Sequence, residues 1–180
     1  MCTSPPLAVG RVQIYTGNGK GKTTAALGLA FRAAGRGLRV HILHFMKQDP
    51  DYGEMHSAQR MGSNWQVEQL GRRGFVSKKN PAAEDIRLAH NGLEKAGTLA
   101  HSGTVDLLIL DELVNALDFG LVELAPVLKL LQQRAPHTEL VLTGRNAPQE
   151  LIDAADLVTE MRPIKHYYDA GQDARRGIEF

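Results

Sequence analysis

The chain has 180 residues, 43% of them hydrophobic, with 21 Lys and Arg against 20 Asp and Glu. That length buries a full core without disulfide or metal staples, and so even a charge balance lacks the basic excess that a nucleic-acid partner favours. No long apolar run and no leader-like N-terminus is visible, so the expectation is a cytoplasmic protein with neither nucleic acid nor membrane among its partners; the one cysteine, Cys2, excludes an internal disulfide and argues against thiol catalysis.

Residues 1–10, with Pro5, Pro6 and several small side chains, read as a flexible tail, and residues 11–180 as a single α/β domain. Val12, Ile14 and Tyr15 have the character of a buried strand, which breaks at Thr16 into a loop with Gly17, Gly19 and Gly21. Leu27, Ala30, Phe31 and Ala34 then repeat at three and four residues and predict a helix with that face inward. Strand, glycine loop and helix together let backbone N–H groups converge on an anion, with the partial positive charge of the helix start behind them. In such a P-loop Lys22 reaches phosphate and the Thr23 hydroxyl faces a magnesium ion. The loop is not the standard one, since Thr16 stands where the pattern has its first glycine, and counting from Gly17 leaves it one residue short. The plain alternative is a flexible glycine turn before an ordinary helix; the strand before and the helix after weigh against it.

Gly35 and Gly37 end the helix, and residues 38–45 give a second strand in which His41 and His44 point to opposite faces, which disfavours a metal pair and predicts two satisfied strand histidines. Lys47 follows that strand's carboxyl end, where ligands collect in open parallel sheets. Glu54 falls in a loop with Pro50 and Gly53 that is equally readable as a solvated connection. Residues 65–70 are a weakly signalled third strand. The run LGRRGFVSKKN carries Gly74 and Phe75 without a period; a Phe there either tucks into the core, the favoured local reading, or faces a hydrophobic ligand. Asn80 and Pro81 predict a cap and first helical residue, with Glu84 and Asp85 in the first turn and Ile86, Leu93 and Ala96 inward. Leu107 to Leu110 reads as a central strand ending in Asp111 and Glu112, an acidic pair that in the Walker B position serves a magnesium ion, or else merely begins the next helix. Leu121, Leu124, Ala125 and Leu128 predict a helix face, residues 139–143 a strand, and Arg145 after Gly144 is placed for phosphate charge or is an ordinary surface arginine. A short helix over 148–155 and a last strand over 157–161 follow. The lysine, histidine and paired tyrosines of the closing tail either line the site or seal the sheet's edge. The alternation predicts three α/β/α layers around a mainly parallel sheet, with phosphate bound at its carboxyl edge.

The motifs GNGKGKTT at 17–24, LDEL at 110–113, TGR at 143–145 and RPIKHYYDAG at 162–171 resemble, in order and spacing, the ATP:corrinoid adenosyltransferases of the CobA/CobO/BtuR family, from about residue 11 to the end. The resemblance implies a P-loop NTPase, RecA-like fold and transfer of the 5′-deoxyadenosyl group of ATP to the cobalt of a reduced Co(I) corrinoid, cob(I)alamin or cob(I)yrinic acid a,c-diamide, with release of triphosphate. It implies ATP contacts at Gly17, Asn18, Gly19, Lys20, Gly21, Lys22, Thr23, Thr24 and Arg145, and Mg2+ or Mn2+ at Thr23, Asp111 and Glu112. It makes Lys22, Glu112 and Arg145 catalytic, and gives corrinoid contacts at Lys47, Glu54, Gly74 and Phe75. It also implies a homodimer served by a flavin-type electron donor protein. This sequence departs from the family pattern at Ser77, where a tryptophan follows the Gly-Phe pair, at Gln48, where glycine follows the lysine, and in the short stretch before the first strand, so the covering arm of relatives is expected to be missing or supplied from elsewhere. The competing expectations are a P-loop phosphotransferase or ATPase acting at the γ-phosphate, and a non-catalytic, ATP-gated corrinoid-binding protein.

Overall fold

The computed structural model describes residues 7–180, so Cys2 and residues 1–6 of the expected tail lie outside the described residues. Gly10, at the tail's end, is already fixed: its N–H donates to the Pro136 carbonyl at 2.8 Å. Six strands, β1 (Val12–Thr16), β2 (Val40–Phe45), β3 (Trp65–Leu70), β4 (Leu107–Asp111), β5 (Glu139–Thr143) and β6 (Leu157–Glu160), form one sheet in the order β3-β2-β4-β5-β1-β6. Every pairing is parallel, so the sheet is wholly rather than mainly parallel.

The helices α1 (Lys22–Gly35), α2 (Gly53–Ala58), α3 (Ala83–Ser102), α4 (Leu113–Asp118), α5 (Leu124–Gln133) and α6 (Gln149–Asp153) are the crossovers between these strands. Because side chains alternate across a strand, each central strand feeds two cores. Leu43, Phe45, Leu108, Leu110, Leu140 and Leu142 pack with α3, α4 and α5, whereas Val40, Ile42, Leu107, Ile109 and Val141 pack with α1. Among the described residues no helix is long and apolar enough to cross a membrane.

Several local expectations change. The inward face of α1 is Ala26, Ala30 and Ala33, with Leu27 and Ala34 of the expected face half-buried beside it and Phe31 turned outward at 69% exposed: a stripe of small residues lets the helix lie close on the sheet. Helix α3 starts two residues after the expected Asn80 cap, with Ala82 as cap, because the buried Asp85 reaches back and accepts from the Ala82 N–H at 3.2 Å. In α5 the buried residues are Val127, Leu130 and Leu131; Leu121 is buried but precedes the helix, and Ala125 is exposed. Glu54 belongs to the first turn of α2 rather than to a loop.

Candidate active site

The glycine loop leaves β1 at Thr16 and enters α1 at Lys22. Gly17 has φ 95 and Gly21 has φ 120, conformations that side chains resist. The loop is held from below by the residue after β6: Gly19 N–H donates to the Met161 carbonyl at 2.7 Å, and Met161 N–H donates to Thr16 O at 2.8 Å. A Cβ at Gly17 or Gly19 would come within 2.6 or 2.7 Å of that Met161 oxygen, which is why glycine is required there. Lys22 Nζ donates to the carbonyls of Gly17 (2.7 Å) and Gly19 (2.8 Å), tying the loop around its own ammonium. Burial, with the nearby Arg145 guanidinium, pulls the Lys22 pKa below the usual lysine value, against the opposing pull of Glu112 and Asp111. Lys20 faces elsewhere: its ammonium lies 3.3 Å from the Ile178 carbonyl and 3.9 Å from Glu179. Asn18 and Thr24 are exposed at the loop's ends.

Strand register assembles the acidic side of the site. His44 of β2 stands opposite Asp111 of β4, on the α1 face of the sheet. Asp111 is fully buried and receives four donors. Thr23 (2.8 Å) and Thr143 (2.7 Å) donate to Oδ1, while His44 Nδ1 and Lys47 Nζ, each at 2.8 Å, bond Oδ2. Burial opposes the charge on Asp111, but Lys47 and the His44 hydrogen bond outweigh it and hold this carboxyl below the ordinary range. Glu112 behaves oppositely: burial pushes it up, with the Asp111 charge adding to the push and Lys47 resisting it. Glu112 follows the strand and caps α4, so the reading that the acidic pair begins the next helix holds for Glu112.

Glu112 has φ 64, and its N–H donates to Thr143 Oγ1 at 2.9 Å. The Asn115 amide donates to the Glu112 carboxylate, and Asn115 Oδ1 accepts from the Arg145 N–H at 2.6 Å, joining the acidic pair to the turn that presents Arg145. Among the described residues, the non-glycine positions with positive φ are Met46, Glu112 and Asn146, all beyond the carboxyl ends of β2, β4 and β5. Each costs on the order of 1–3 kcal/mol, and such strain gathers at functional edges.

Among the described residues no group of three or more His, Cys, Asp and Glu is arranged to hold a metal. The donor set is nonetheless suited to Mg2+, which takes one or two carboxylates and completes its shell with phosphate oxygens and water: Thr23, Asp111 and Glu112 offer hard oxygens beside the glycine loop.

Two cavities open on this edge, and Lys47 and Tyr52 line both. The first, about 700 Å3, is bordered by Arg72, Gly74, Phe75, Glu112 and Arg145. Phe75 is fully exposed at its rim, which overturns the reading that it tucks into the core. The second, about 750 Å3, runs from Thr23 and Thr24 past Leu27 to Trp65, and the chain's last residues, Gly177–Phe180, form its far wall. The structure thus brings Lys47, Gly74 and Phe75 together, with Gln48 beside them, but sets Glu54 in the second cavity, 3.8 Å from His44 Nε2. Only the tail's last four residues line this cavity, where the Phe180 ring lies 6.1 Å from that of Tyr52 and Arg176 beside them pairs with Asp51 at 2.7 Å; Lys165, His166, Tyr167 and Tyr168 border neither cavity.

Residue-level reading missed His44, Asn115, Thr143 and Met161 as parts of this site. Thr143 was visible within TGR and Asn115 sits three residues past Glu112, but neither carries a signal of its own without the sheet register.

The sequence profile of the family described as ATP:corrinoid adenosyltransferase BtuR/CobO/CobP matches residues 8–180. A protein of Sinorhizobium sp named corrinoid adenosyltransferase is 38% identical over 173 residues, covering 95% of this chain and 80% of its own. One of the same name from Pseudomonas aeruginosa is 37% identical over 171 residues, covering 95% and 84%. Corrinoid adenosyltransferase CobA of Salmonella typhimurium is 33% identical over 171 residues, covering 95% and 86%. With a glycine loop between β1 and α1, an acidic strand end and matches along nearly its whole length, the chain belongs to the ATP:corrinoid adenosyltransferase family.

Proposed function

We propose that this chain transfers the 5′-deoxyadenosyl group of ATP to the cobalt of a Co(I) corrinoid and releases triphosphate, in adenosylcobalamin biosynthesis or salvage. The observation that carries the reading is the convergence, on one sheet edge, of the glycine loop, Asp111, Glu112 and Arg145 with a cavity whose rim bears a fully exposed Phe75. In the reaction the cobalt electron pair forms the Co–C5′ bond while the C5′–O bond breaks and its pair leaves with triphosphate. Negative charge therefore grows on the oxygen next to the α-phosphate, and no side-chain base is needed. The backbone of Gly17 to Gly21, with Lys22, Thr23 and Thr24, grips the triphosphate, Lys22 and Arg145 stabilise the growing charge, and positioning does the rest. Thr23, Asp111 and Glu112 would hold Mg2+ or Mn2+, which when bound neutralises phosphate charge. Lys47, Gly74 and Phe75 face the corrinoid, Phe75 as an apolar wall that keeps water from the metal centre; Glu54 acts from the second cavity.

We further take residues 11–180 to act as one domain in the cytoplasm, as a homodimer whose corrinoid substrate is reduced to Co(I) by a flavin-type donor protein. The edge strand β6 supports the dimer: it is exposed along its length, with Leu157 at 44% and Val158 at 39%. The test is product analysis with ATP, Mg2+ and chemically reduced cobalamin. Triphosphate and an adenosylated corrinoid are expected; ADP would indicate attack at the γ-phosphate, and intact ATP a binding protein without chemistry.

A further inference from the structure

We propose that Lys47 is the resting counter-ion of the metal site, its ammonium occupying the cation position over Asp111 and Glu112 until a divalent metal displaces it. This rests on the metal assignment proposed above. Lys47 Nζ lies 2.8 Å from Asp111 Oδ2 and 3.6 Å from Glu112 Oε1, between the two carboxylates that a metal would share.

Asp111 has no acceptor position to spare, since Oδ1 takes Thr23 and Thr143 and Oδ2 takes His44 and Lys47. A metal bonding Asp111 directly has to replace one of these four. His44 is fully buried within β2. Thr143 is fixed in β5 and simultaneously accepts from the Glu112 N–H. Thr23 is itself a metal-ligand candidate. Lys47 alone stands on a connection beyond its strand, next to Met46 at φ 60, with a side chain that borders both cavities and so has space to move into. The neighbouring carboxylates also require a cation whenever metal is absent, because two charges this close and this buried repel unless compensated. The resting protein is then closed to metal alone, and metal enters when phosphate oxygens help to displace the ammonium. The freed Lys47 faces the junction of the cavities, where the phosphates end and the corrinoid begins.

The experiment is Mn2+ binding followed by electron paramagnetic resonance, without nucleotide and with inorganic triphosphate, in the wild type and in Lys47→Met. The expected result is a Kd for Mn2+ alone that is at least tenfold tighter in Lys47→Met than in the wild type, with triphosphate narrowing the gap. Equal or weaker Mn2+ binding by the variant overturns the proposal. If neither protein takes up Mn2+ even with triphosphate, the metal assignment itself falls, an outcome distinct from equal binding. Since removing a cation from buried carboxylates can unfold the chain, the wild type supplies an independent reading. Amine labelling read by mass spectrometry should rise severalfold at Lys47 under saturating Mn2+ with inorganic triphosphate, and unchanged labelling there also overturns the proposal.

Discussion

Replacing Thr143 with valine removes one hydroxyl and nearly nothing else, yet two bonds depend on it. That hydroxyl donates to Asp111 Oδ1 at 2.7 Å and accepts from the Glu112 N–H at 2.9 Å, in a residue only 1% exposed. A hydrogen bond to a charged group contributes about 1.5–3 kcal/mol, and a buried N–H left without a partner costs about 1–3 kcal/mol. The Glu112 backbone, at φ 64, also loses a bond that holds it in a disfavoured conformation. Thr143→Val should therefore lose about 3–5 kcal/mol in urea unfolding, an apparent Tm drop of roughly 6–20 °C for a chain of this size. Thr143→Ser, which keeps the hydroxyl, should recover most of the loss. A valine variant within about 1 kcal/mol of wild type, or a serine variant no better than valine, would refute the claim that this hydroxyl braces the acidic pair.

Lys22→Ala should lower triphosphate release at least ~10²-fold, in line with removing one charge-stabilising donor, while circular dichroism remains that of the folded chain; normal turnover removes Lys22 from the mechanism. Phe75→Ala should change stability by no more than about 0.5 kcal/mol, since the ring is fully exposed, and should slow turnover from Co(II) with a weak reductant more than turnover from preformed Co(I); equal losses count against the apolar wall. Asp106 gives a pH prediction away from the site. It accepts from Arg39 N at 2.8 Å and Nη2 at 2.7 Å, and that pairing holds its pKa below the usual aspartate value despite burial. A depressed native pKa adds stability above the unfolded value, about 3.9, and loses it as pH falls through the native one. The deficit of Asp106→Asn in unfolding free energy should be constant above about pH 5 and shrink below about pH 4; a pH-independent deficit would show that the carboxylate charge is not what Arg39 reads.

Features confined to one element were legible in the sequence. The glycine loop, the LDEL strand end and the third strand at residues 65–70 all fall where the residues put them. His41 and His44 do occupy opposite faces; His41 pairs with Glu68, whereas His44 bonds Asp111 through Nδ1 and leaves its buried Nε2 without a hydrogen bond, so only one of the two is the satisfied histidine expected. What the sequence could not state is which strands are neighbours: that His44 meets Asp111, or that the Thr143 hydroxyl links Asp111 to the Glu112 N–H, follows from pairing across segments dozens of residues apart. Helix α1 misled for a different reason. Its large apolar residues suggested the inward stripe, but the closeness of helix to sheet selects the alanines, and Phe31 is left outside. Phe75 was ambiguous because an isolated phenylalanine in an aperiodic run carries no information about the surface it meets.

The position of β5 between β1 and β4 makes the chemistry at the top of the sheet hostage to events at its bottom. Four and five residues below Thr143, roughly 13–17 Å away, the strand is pinned where Glu139 accepts from Arg11 N and Thr138 Oγ1 donates to Val105 O. Slippage there by one residue would turn every β5 side chain to the other face, delivering an aliphatic group to Asp111 in place of the hydroxyl. Inactivating substitutions are therefore to be sought around residues 134–139 as well as near the nucleotide, in a place that no inspection of ligand contacts would single out.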